Sequence, residues 1–176
     1  MSSKLRINKS IIGFSWLALF TLSGCSQASG DDGYTAGDLS GINHMADSGV
    51  NWFSVNGYGG AMTGNTCCIM LPEKWTPELK ARIQWEVDPN PNETIPMKKK
   101  GFGYEEEAYA QHAAKYQLHK IIVKIPHYGK ERCGLTVHFL ACNQVKVTTA
   151  CSGYGTSGYP IKEPLNMKEP ATCPVK

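Results

Sequence analysis

The most regular alternation of apolar and polar residues along this chain lies at residues 82–87. The six residues, in order, are Arg82, Ile83, Gln84, Trp85, Glu86 and Val87. A period of two is typical of a β-strand that buries one face and exposes the other. The pattern therefore predicts a strand whose isoleucine, tryptophan and valine point into a core.

A second alternating segment, residues 50–55, also predicts a strand. It places Phe53 and Val55 on one face and Trp52 and Ser54 on the other. Glycine is abundant directly after this segment, and glycine-rich sequence favours turns over strands. We therefore expect the strand to end before residue 58.

Shorter apolar or β-branched runs predict further strands at residues 67–71, 121–125, 135–140 and 144–149. The last two runs flank a brief polar break, which is typical of a β-hairpin. Consecutive antiparallel strands with one apolar face need a second layer to cover that face.

One helix is predicted, over residues 104–118. Acidic residues fill its first turn and Lys115 lies near its end, which suits the helix dipole. Tyr109, Ala113 and Tyr116 share one face at helical spacing, and we interpret them as core-packing residues.

About six short strands and one helix together predict a mainly β protein, a small antiparallel β-sandwich with one helical insertion. Residues 88–103 are rich in proline and glycine and are predicted to form a loop. The lysines at 98–100 lie close to the glutamates at 105–107. We interpret this pair of charge runs as a solvated surface; the alternative is a charged docking surface.

The N-terminus has the pattern of a targeting segment. Lys4, Arg6 and Lys9 precede an apolar run that begins near Ile11 and is short for a transmembrane helix. The run ends in Leu22-Ser23-Gly24-Cys25, which resembles the bacterial lipobox. That resemblance implies a signal peptide at residues 1–24, cleavage before Cys25, and lipidation of Cys25.

A lipid on Cys25 would hold the chain at a membrane, because several acyl chains together give stable attachment. Ser26 stands where the sorting pattern for inner-membrane retention has aspartate. The resemblance therefore implies the periplasmic face of the outer membrane rather than the inner membrane. Residues 25–40 contain few large apolar residues and are predicted to be a flexible tether, with one β-rich domain at residues 41–176.

Removal of the signal peptide changes the charge of the chain. Three of the 18 basic residues leave with it, so that 15 basic residues remain against 15 acidic ones. A net charge near zero gives no support for nucleic-acid binding. We expect no nucleic-acid partner and no cofactor.

The six remaining cysteines are expected to form disulfides, because the periplasm is oxidising. They are Cys67, Cys68, Cys133, Cys142, Cys151 and Cys173. If the predicted hairpin turns about Cys142, then Cys133 and Cys151 oppose each other at a distance that a disulfide can span. We therefore predict a Cys133–Cys151 bridge.

Adjacent side chains point to opposite faces of a strand, which separates Cys67 from Cys68. We expect one of these two cysteines to bond to Cys142 or Cys173. The alternative is that thiols and histidines bind metal ions or carry out redox chemistry. The histidines are His44, His112, His119, His127 and His138. They lack the tight spacing of a metal site, so no metal ligands are assigned.

Motifs for catalysis are also missing from the sequence. It contains no Gly-x-Ser-x-Gly elbow, no phosphate-binding glycine loop and no His-Glu-x-x-His segment. We therefore interpret the chain as a binding protein without catalytic residues.

The middle of the chain resembles a family of small proteobacterial lipoproteins whose function was long unassigned. The likeness spans about residues 41–149, and the segments that carry it are residues 41–44, 53–57, 59–60, 67–72, 75, 83–86, 125–128, 137–139 and 145–147. The adjacent cysteines followed by Leu71-Pro72 and Trp75 are its most specific motif. Glu78 departs from the glycine that the family often has after the proline.

Members of that family resemble immunity proteins encoded beside type VI secretion phospholipase effectors. The resemblance implies a periplasmic protein that binds an incoming lipase before the lipase attacks the membrane. Tyrosine and tryptophan are enriched at interface hot spots. We therefore predict partner contacts at Trp52, Tyr58, Tyr154 and Tyr159; the alternative for Trp52 and Tyr58 is a place in the core.

Overall fold

Backbone pairing organises residues 33–64 and 66–174, the part of the chain that the computed structural model describes, into two four-stranded sheets. The elements, in chain order, are β1 (Tyr34–Asn43), β2 (Gly49–Val55), β3 (Tyr58–Gly60), β4 (Thr66–Pro72), β5 (Lys80–Asp88), α1 (Glu106–Ala113), β6 (Gln117–Lys124), β7 (Leu135–Leu140), a 3₁₀ turn (Ala141–Asn143) and β8 (Gln144–Thr148). The predicted signal peptide and Cys25 lie outside the described residues.

The first sheet has the strand order β4-β1-β7-β8 and the second has the order β3-β2-β5-β6. Within them β1 and β7 run parallel, whereas the other neighbouring strands are antiparallel. The prediction of a mainly β sandwich with one helix is confirmed. The parallel pair was not predicted, because β1 lies inside the segment interpreted as a tether.

Side chains from both sheets meet in one core. Phe53 and Trp85 of the second sheet contact Phe139 of the first, with ring centroids 5.4 and 5.7 Å apart. Val55 and Ile83 are fully buried beside them, and the alternating patterns of β2 and β5 are confirmed. These contacts fix how the two sheets lie on each other, and so which faces remain in solvent.

The predicted tether is wrong over residues 34–40, which form most of β1. This segment has few large apolar residues, and Leu39 is the one it buries completely. Its place comes from backbone pairing with β4 on one side and β7 on the other. Pairing on both edges satisfies its backbone groups without an alternating apolar pattern.

The glycine-rich segment after β2 does not end the sheet. Asn56 and Gly57, with φ of 52° and 91°, form a two-residue turn, and β3 then pairs back on β2. An Asn-Gly pair between strands is the usual signal for a hairpin whose turn requires positive φ at both positions. That signal was present in the sequence.

The helix is shorter than predicted, because α1 ends at Ala113 and residues 117–124 form β6. Its buried residue is His112, whereas Tyr109 is largely exposed. The helical face of tyrosines that we predicted therefore does not pack in the core. Residues 89–103 follow the loop prediction, with no strand or helix among them, whereas Asp88 is the last residue of β5.

Candidate interaction surface

The four aromatic residues predicted to contact a partner lie in different environments. Trp52 and Tyr58 are each 41% exposed. Tyr154 is half-buried against histidine rings. Tyr159 is 3% exposed, so its prediction as a surface contact is wrong, because its ring packs on His138 in the core.

Trp52 belongs to the solvent-facing side of the second sheet, which we call the outer face. Strand pairing places Trp52 opposite Glu86 of β5, and Glu86 opposite Leu118 of β6. The residues of the outer face are Trp52, Ser54, Lys80, Arg82, Gln84, Glu86, Leu118, Lys120, Ile122 and Lys124. Their neighbours along each strand point into the core.

Several apolar side chains on the outer face are largely exposed to solvent. Leu118 is 56% exposed and Ile122 is 60% exposed. Both lie on β6, an edge strand of the sheet, where Lys120 separates them, and Glu86 lies between Leu118 and Trp52 in the strand pairing. Exposed apolar residues that lie among charged ones on one face of a sheet are a common feature of protein interfaces.

Positive charge accompanies these apolar groups. Lys80 and Lys124 are directly opposite each other in the strand pairing, and Arg82 lies beside them on β5. Within the described part of the chain, none of these three cations has a carboxylate within 4.0 Å. Like charges directly opposite destabilise a sheet, so an anionic partner on this face would relieve the repulsion.

Sequence reasoning missed β6 as part of this surface. Leu118, Lys120 and Ile122 alternate with residues that are less exposed, which is a strand pattern. The helix predicted over residues 104–118 is instead closed by the basic residues Lys115, His119 and Lys120, which suits the helix dipole. Both interpretations suit the same basic residues, and only the period of the exposed positions distinguishes them.

A second cluster is buried in the first sheet and consists of His44, His138 and Tyr159. Nδ1 of His44 lies 2.9 Å from the carbonyl oxygen of Pro164, and its Nε2 lies 2.7 Å from Nδ1 of His138. Nε2 of His138 in turn lies 2.7 Å from the hydroxyl oxygen of Tyr159. The cluster is a continuous chain of hydrogen bonds.

The direction of each hydrogen bond follows from the carbonyl at one end. A carbonyl only accepts, so His44 carries its proton on Nδ1 and accepts at Nε2. Neutral His138 then donates from Nδ1, and its Nε2 accepts from the Tyr159 hydroxyl. Burial first, and the neighbouring His44 second, lower the pKa of His138 from 6.5 to about 4.

The histidine cluster is closed rather than open to a ligand. Both histidines are fully buried, and each of their ring nitrogens is occupied by a hydrogen bond. The cluster holds the C-terminal segment against the first sheet. Backbone bonds support the same contact, because the Met167 amide donates to the His44 carbonyl at 2.7 Å.

Disulfides fix the ends of that segment. Cys133 and Cys151 are bridged across the β7–β8 hairpin with Cα atoms 4.9 Å apart, the pair that the hairpin register predicts. Cys142 is bridged to Cys173. These two bridges enclose the turn and the C-terminal segment.

The expectation that Cys67 or Cys68 bonds to Cys142 or Cys173 is wrong. The two adjacent cysteines are joined to each other, and the peptide bond between them is cis. They lie on β4, whereas Cys142 follows β7 at the other side of the sheet. Strands are spaced about 4.8 Å apart, so two intervening strand spacings already exceed the reach of a disulfide.

Among the described residues, Cys142, Glu169 and Cys173 are the group whose potential metal-ligand atoms come together. The two sulfur atoms are already joined in a disulfide, which leaves no thiolate to coordinate an ion. This group therefore fits a structural bridge better than a metal centre.

His112 anchors the helix through a separate polar network. Its Nδ1 lies 2.8 Å from Glu93 and its Nε2 lies 3.1 Å from Asp88, and Lys115 pairs with the same Glu93. The hydrogen bond to Glu93 is the largest cause that raises the pKa of His112, with Asp88 adding to it. The network joins α1 to the loop that follows β5.

Comparisons with known proteins give one match. A family model described as a protein of unknown function, DUF3304, matches residues 42–147. No curated protein and no solved structure matches the chain. Within the described residues, no helix is long and apolar enough to cross a membrane. The match covers more than half of the chain, and the chain therefore belongs to the DUF3304 family of proteins of unknown function.

Proposed function

We propose that this protein is a lipid-anchored immunity protein of the periplasm that binds and inhibits a phospholipase effector delivered by type VI secretion. The observation that carries the proposal is the outer face, where exposed apolar side chains lie among unpaired cations. A binding protein needs such a surface, whereas the buried histidine cluster offers no opening to a substrate.

Trp52 is the expected centre of the contact. Tryptophan is enriched at binding hot spots, and Leu118 and Ile122 on β6 add further exposed apolar surface to the same face. The cations Lys80, Arg82 and Lys124 favour a partner with an acidic surface. Tyr58 is exposed on the neighbouring strand β3, but it pairs with Val55 and therefore lies on the opposite side of the sheet from Trp52, outside the outer face.

The anchor is the second part of the proposal and rests on the lipobox resemblance at Cys25. A lipid on Cys25 would keep the inhibitor where a phospholipase attacks, which raises its effective concentration there. The disulfides support the same compartment, because bridges of this kind persist in oxidising surroundings.

Survival of a sensitive strain tests the whole proposal. The chain is expressed in the periplasm together with the lipase encoded beside it, as the native sequence, as Cys25→Ala and as Trp52→Ala. We expect protection by the native chain and weaker protection by both variants. Leu165→Ala, which truncates an exposed leucine outside the outer face, should protect like the native chain.

A binding measurement in solution distinguishes the contribution of the outer face from that of the lipid anchor. Trp52→Ala should weaken the complex with the lipase by about 30-fold, as expected for a hot-spot residue, whereas Cys25→Ala should not change the affinity. Absence of protection by the native chain, together with absence of binding, would refute the immunity function.

A second candidate function is the handling of thiol redox chemistry. The observation that favours it is that Cys67 is exposed on an edge strand beside Cys68, where a reductant could reach both. A count of free thiols in protein isolated from the periplasm, with and without added metal ion, distinguishes the two functions. Free thiols that respond to metal would favour the second candidate, and complete oxidation would favour the first.

A further inference from the structure

A loop between β5 and α1 presents its tip, residues 97–104, to solvent. The loop is closed as a hairpin, because the Lys98 amide donates to the Gly103 carbonyl at 3.0 Å. Gly101 and Gly103 have φ of 88° and 97°, which glycine adopts without strain. The sequence thus builds a defined turn rather than an irregular connection.

The side chains at this tip are apolar and basic. Phe102 is 100% exposed and Met97 is 60% exposed. Lys99 and Lys100 precede the phenylalanine, with Gly101 between, and in the described part of the chain neither lysine has a carboxylate within 4.0 Å. One exposed apolar residue is ordinary, but a fully exposed phenylalanine beside a methionine and two free lysines is not.

Two tyrosines lie at the base of the tip. The rings of Tyr104 and Tyr109 are nearly parallel, with centroids 6.0 Å apart, and both side chains are largely exposed. Tyrosine is enriched at the boundary between a bilayer and water, where its ring lies among apolar groups and its hydroxyl stays hydrated. The tip and its base therefore have the composition of an interfacial membrane contact.

We propose that this tip is a second contact with the bilayer. Phe102 and Met97 would enter the boundary between headgroups and acyl chains, and Lys99 and Lys100 would bind anionic phospholipid headgroups. Apolar burial and attraction of basic residues to anionic lipid are the two sources of interfacial binding.

The neighbouring glutamates define which lysines act. Lys98 is paired with Glu106 at 2.7 Å, so its charge is already compensated. Glu105 and Glu107, at the start of α1, line the same shallow cavity as Lys99 and Lys100, but neither carboxylate lies within 4.0 Å of these two lysines. The attraction to anionic lipid therefore depends on Lys99 and Lys100. Burial of the Phe102 ring supplies the part of the binding free energy that does not depend on charge.

The inference rests on the membrane attachment in the proposed function. One phenylalanine and two lysines give weak binding alone, whereas a second contact on an already tethered chain acts at high effective concentration. Attachment at Cys25 and contact by the tip would set the orientation of the domain on the membrane.

Fluorescence quenching in vesicles tests the contact. The full lipidated chain is reconstituted in vesicles of phosphatidylethanolamine and phosphatidylglycerol with brominated acyl chains, which quench nearby indoles. Phe102→Trp is compared with the native chain, so that the difference reports the added indole. We expect loss of most of the added emission for Phe102→Trp and little loss for Leu165→Trp, which places the probe at another exposed site.

Charge variants make the test specific. Lys99→Gln combined with Lys100→Gln should reduce the quenching at position 102 and shift the added emission towards that of an indole in water. Lys80→Gln combined with Lys124→Gln removes the same charge from the outer face and should leave the quenching unchanged.

Flotation of the vesicles distinguishes failure of the anchor from failure of the tip. A chain that floats while Phe102→Trp is quenched no more than Leu165→Trp would overturn the tip contact and leave the anchor standing. A chain that does not float with anionic vesicles would overturn both. An emission change at position 102 that requires an added protein would assign the tip to a protein partner and overturn the membrane contact.

Discussion

Nε2 of His44 lies 2.7 Å from Nδ1 of His138, although the two residues are 94 positions apart in the chain. Both side chains are fully buried, and the bond joins the end of β1 to the middle of β7. Because these strands are the parallel pair of the first sheet, the bond fixes their register from the side chains. It also holds the C-terminal segment, through Pro164 and Tyr159.

Acid should destabilise the protein through His138. The unfolded chain takes up a proton on this imidazole as the pH falls through about 6.5, whereas burial and His44 hold the folded pKa at about 4. The contribution of His138 to the free energy of unfolding is therefore complete above about pH 6.5 and decreases by about 3 kcal/mol towards pH 4. Glu163, which raises the pKa of His138, and Lys146, which lowers it, are the charged neighbours.

Denaturant unfolding at about pH 7 and about pH 4.5 measures this loss, in native protein and in His138→Gln. The variant keeps a donor and an acceptor but does not titrate, so its stability should depend less on pH. His127→Gln, which changes an exposed histidine, should behave like the native chain. An equal loss in His138→Gln and the native chain would contradict the assignment.

Removal of the Tyr159 hydroxyl should lower the stability of the protein, because it breaks the chain of buried hydrogen bonds. Tyr159→Phe leaves Nε2 of buried His138 without its donor, and an unsatisfied buried polar group costs about 1–3 kcal/mol. The free energy of unfolding at neutral pH should therefore decrease by that amount. Tyr58→Phe removes the hydroxyl of an exposed tyrosine and should have little effect. Equal stabilities of the two variants would show that Tyr159 does not donate to the histidine.

His112 should have the opposite pH dependence from His138. Its hydrogen bond to Glu93, with that to Asp88, favours the charged ring and raises its pKa above 6.5. The stability from this network is therefore full below about pH 6.5 and is lost as the pH rises through the raised folded pKa. Unfolding measured at about pH 6 and about pH 9 should show this loss in the native chain and not in His112→Gln.

Two outcomes decide the interpretation of His112. An NMR titration of the imidazole in native protein should give a midpoint above 6.5, and Glu93→Gln should lower that midpoint. A midpoint in the native chain that does not move in Glu93→Gln would show that the carboxylate does not hold the proton on the ring.

Local patterns predicted much of the fold. The alternation in β2 and β5 identified the core side chains Phe53, Val55, Ile83 and Trp85, and the hairpin of β7 and β8 has the predicted register. These strands could be predicted because apolar and polar residues alternate within each of them. No such period exists in β1, which is held by pairing on both edges.

The buried cluster could not be predicted for a different reason. His138 is a polar residue between Val137 and Phe139, whereas His44 directly follows Asn43, and nothing in the local sequence brings the two histidines together. Tyr159 lies in a segment rich in glycine and tyrosine, which suggested a surface loop. The pairing of β1 with β7 brings the two histidines into contact. No local feature of the sequence predicts that these two distant strands are neighbours in the sheet.

The packing of Phe53 against glycine gives the last prediction. A Cβ added at Gly60 would lie 2.0 Å from the ring of Phe53, a rigid side chain that lies in the core. Overpacking of this kind typically costs about 1–3 kcal/mol, so Gly60→Ala should lower the free energy of unfolding by that amount. Gly59→Ala, on the same strand with nothing within 4 Å of the added Cβ, is the matched control. If thermal or denaturant unfolding gives the two variants equal stability, Phe53 does not pack on β3 as the structure has it.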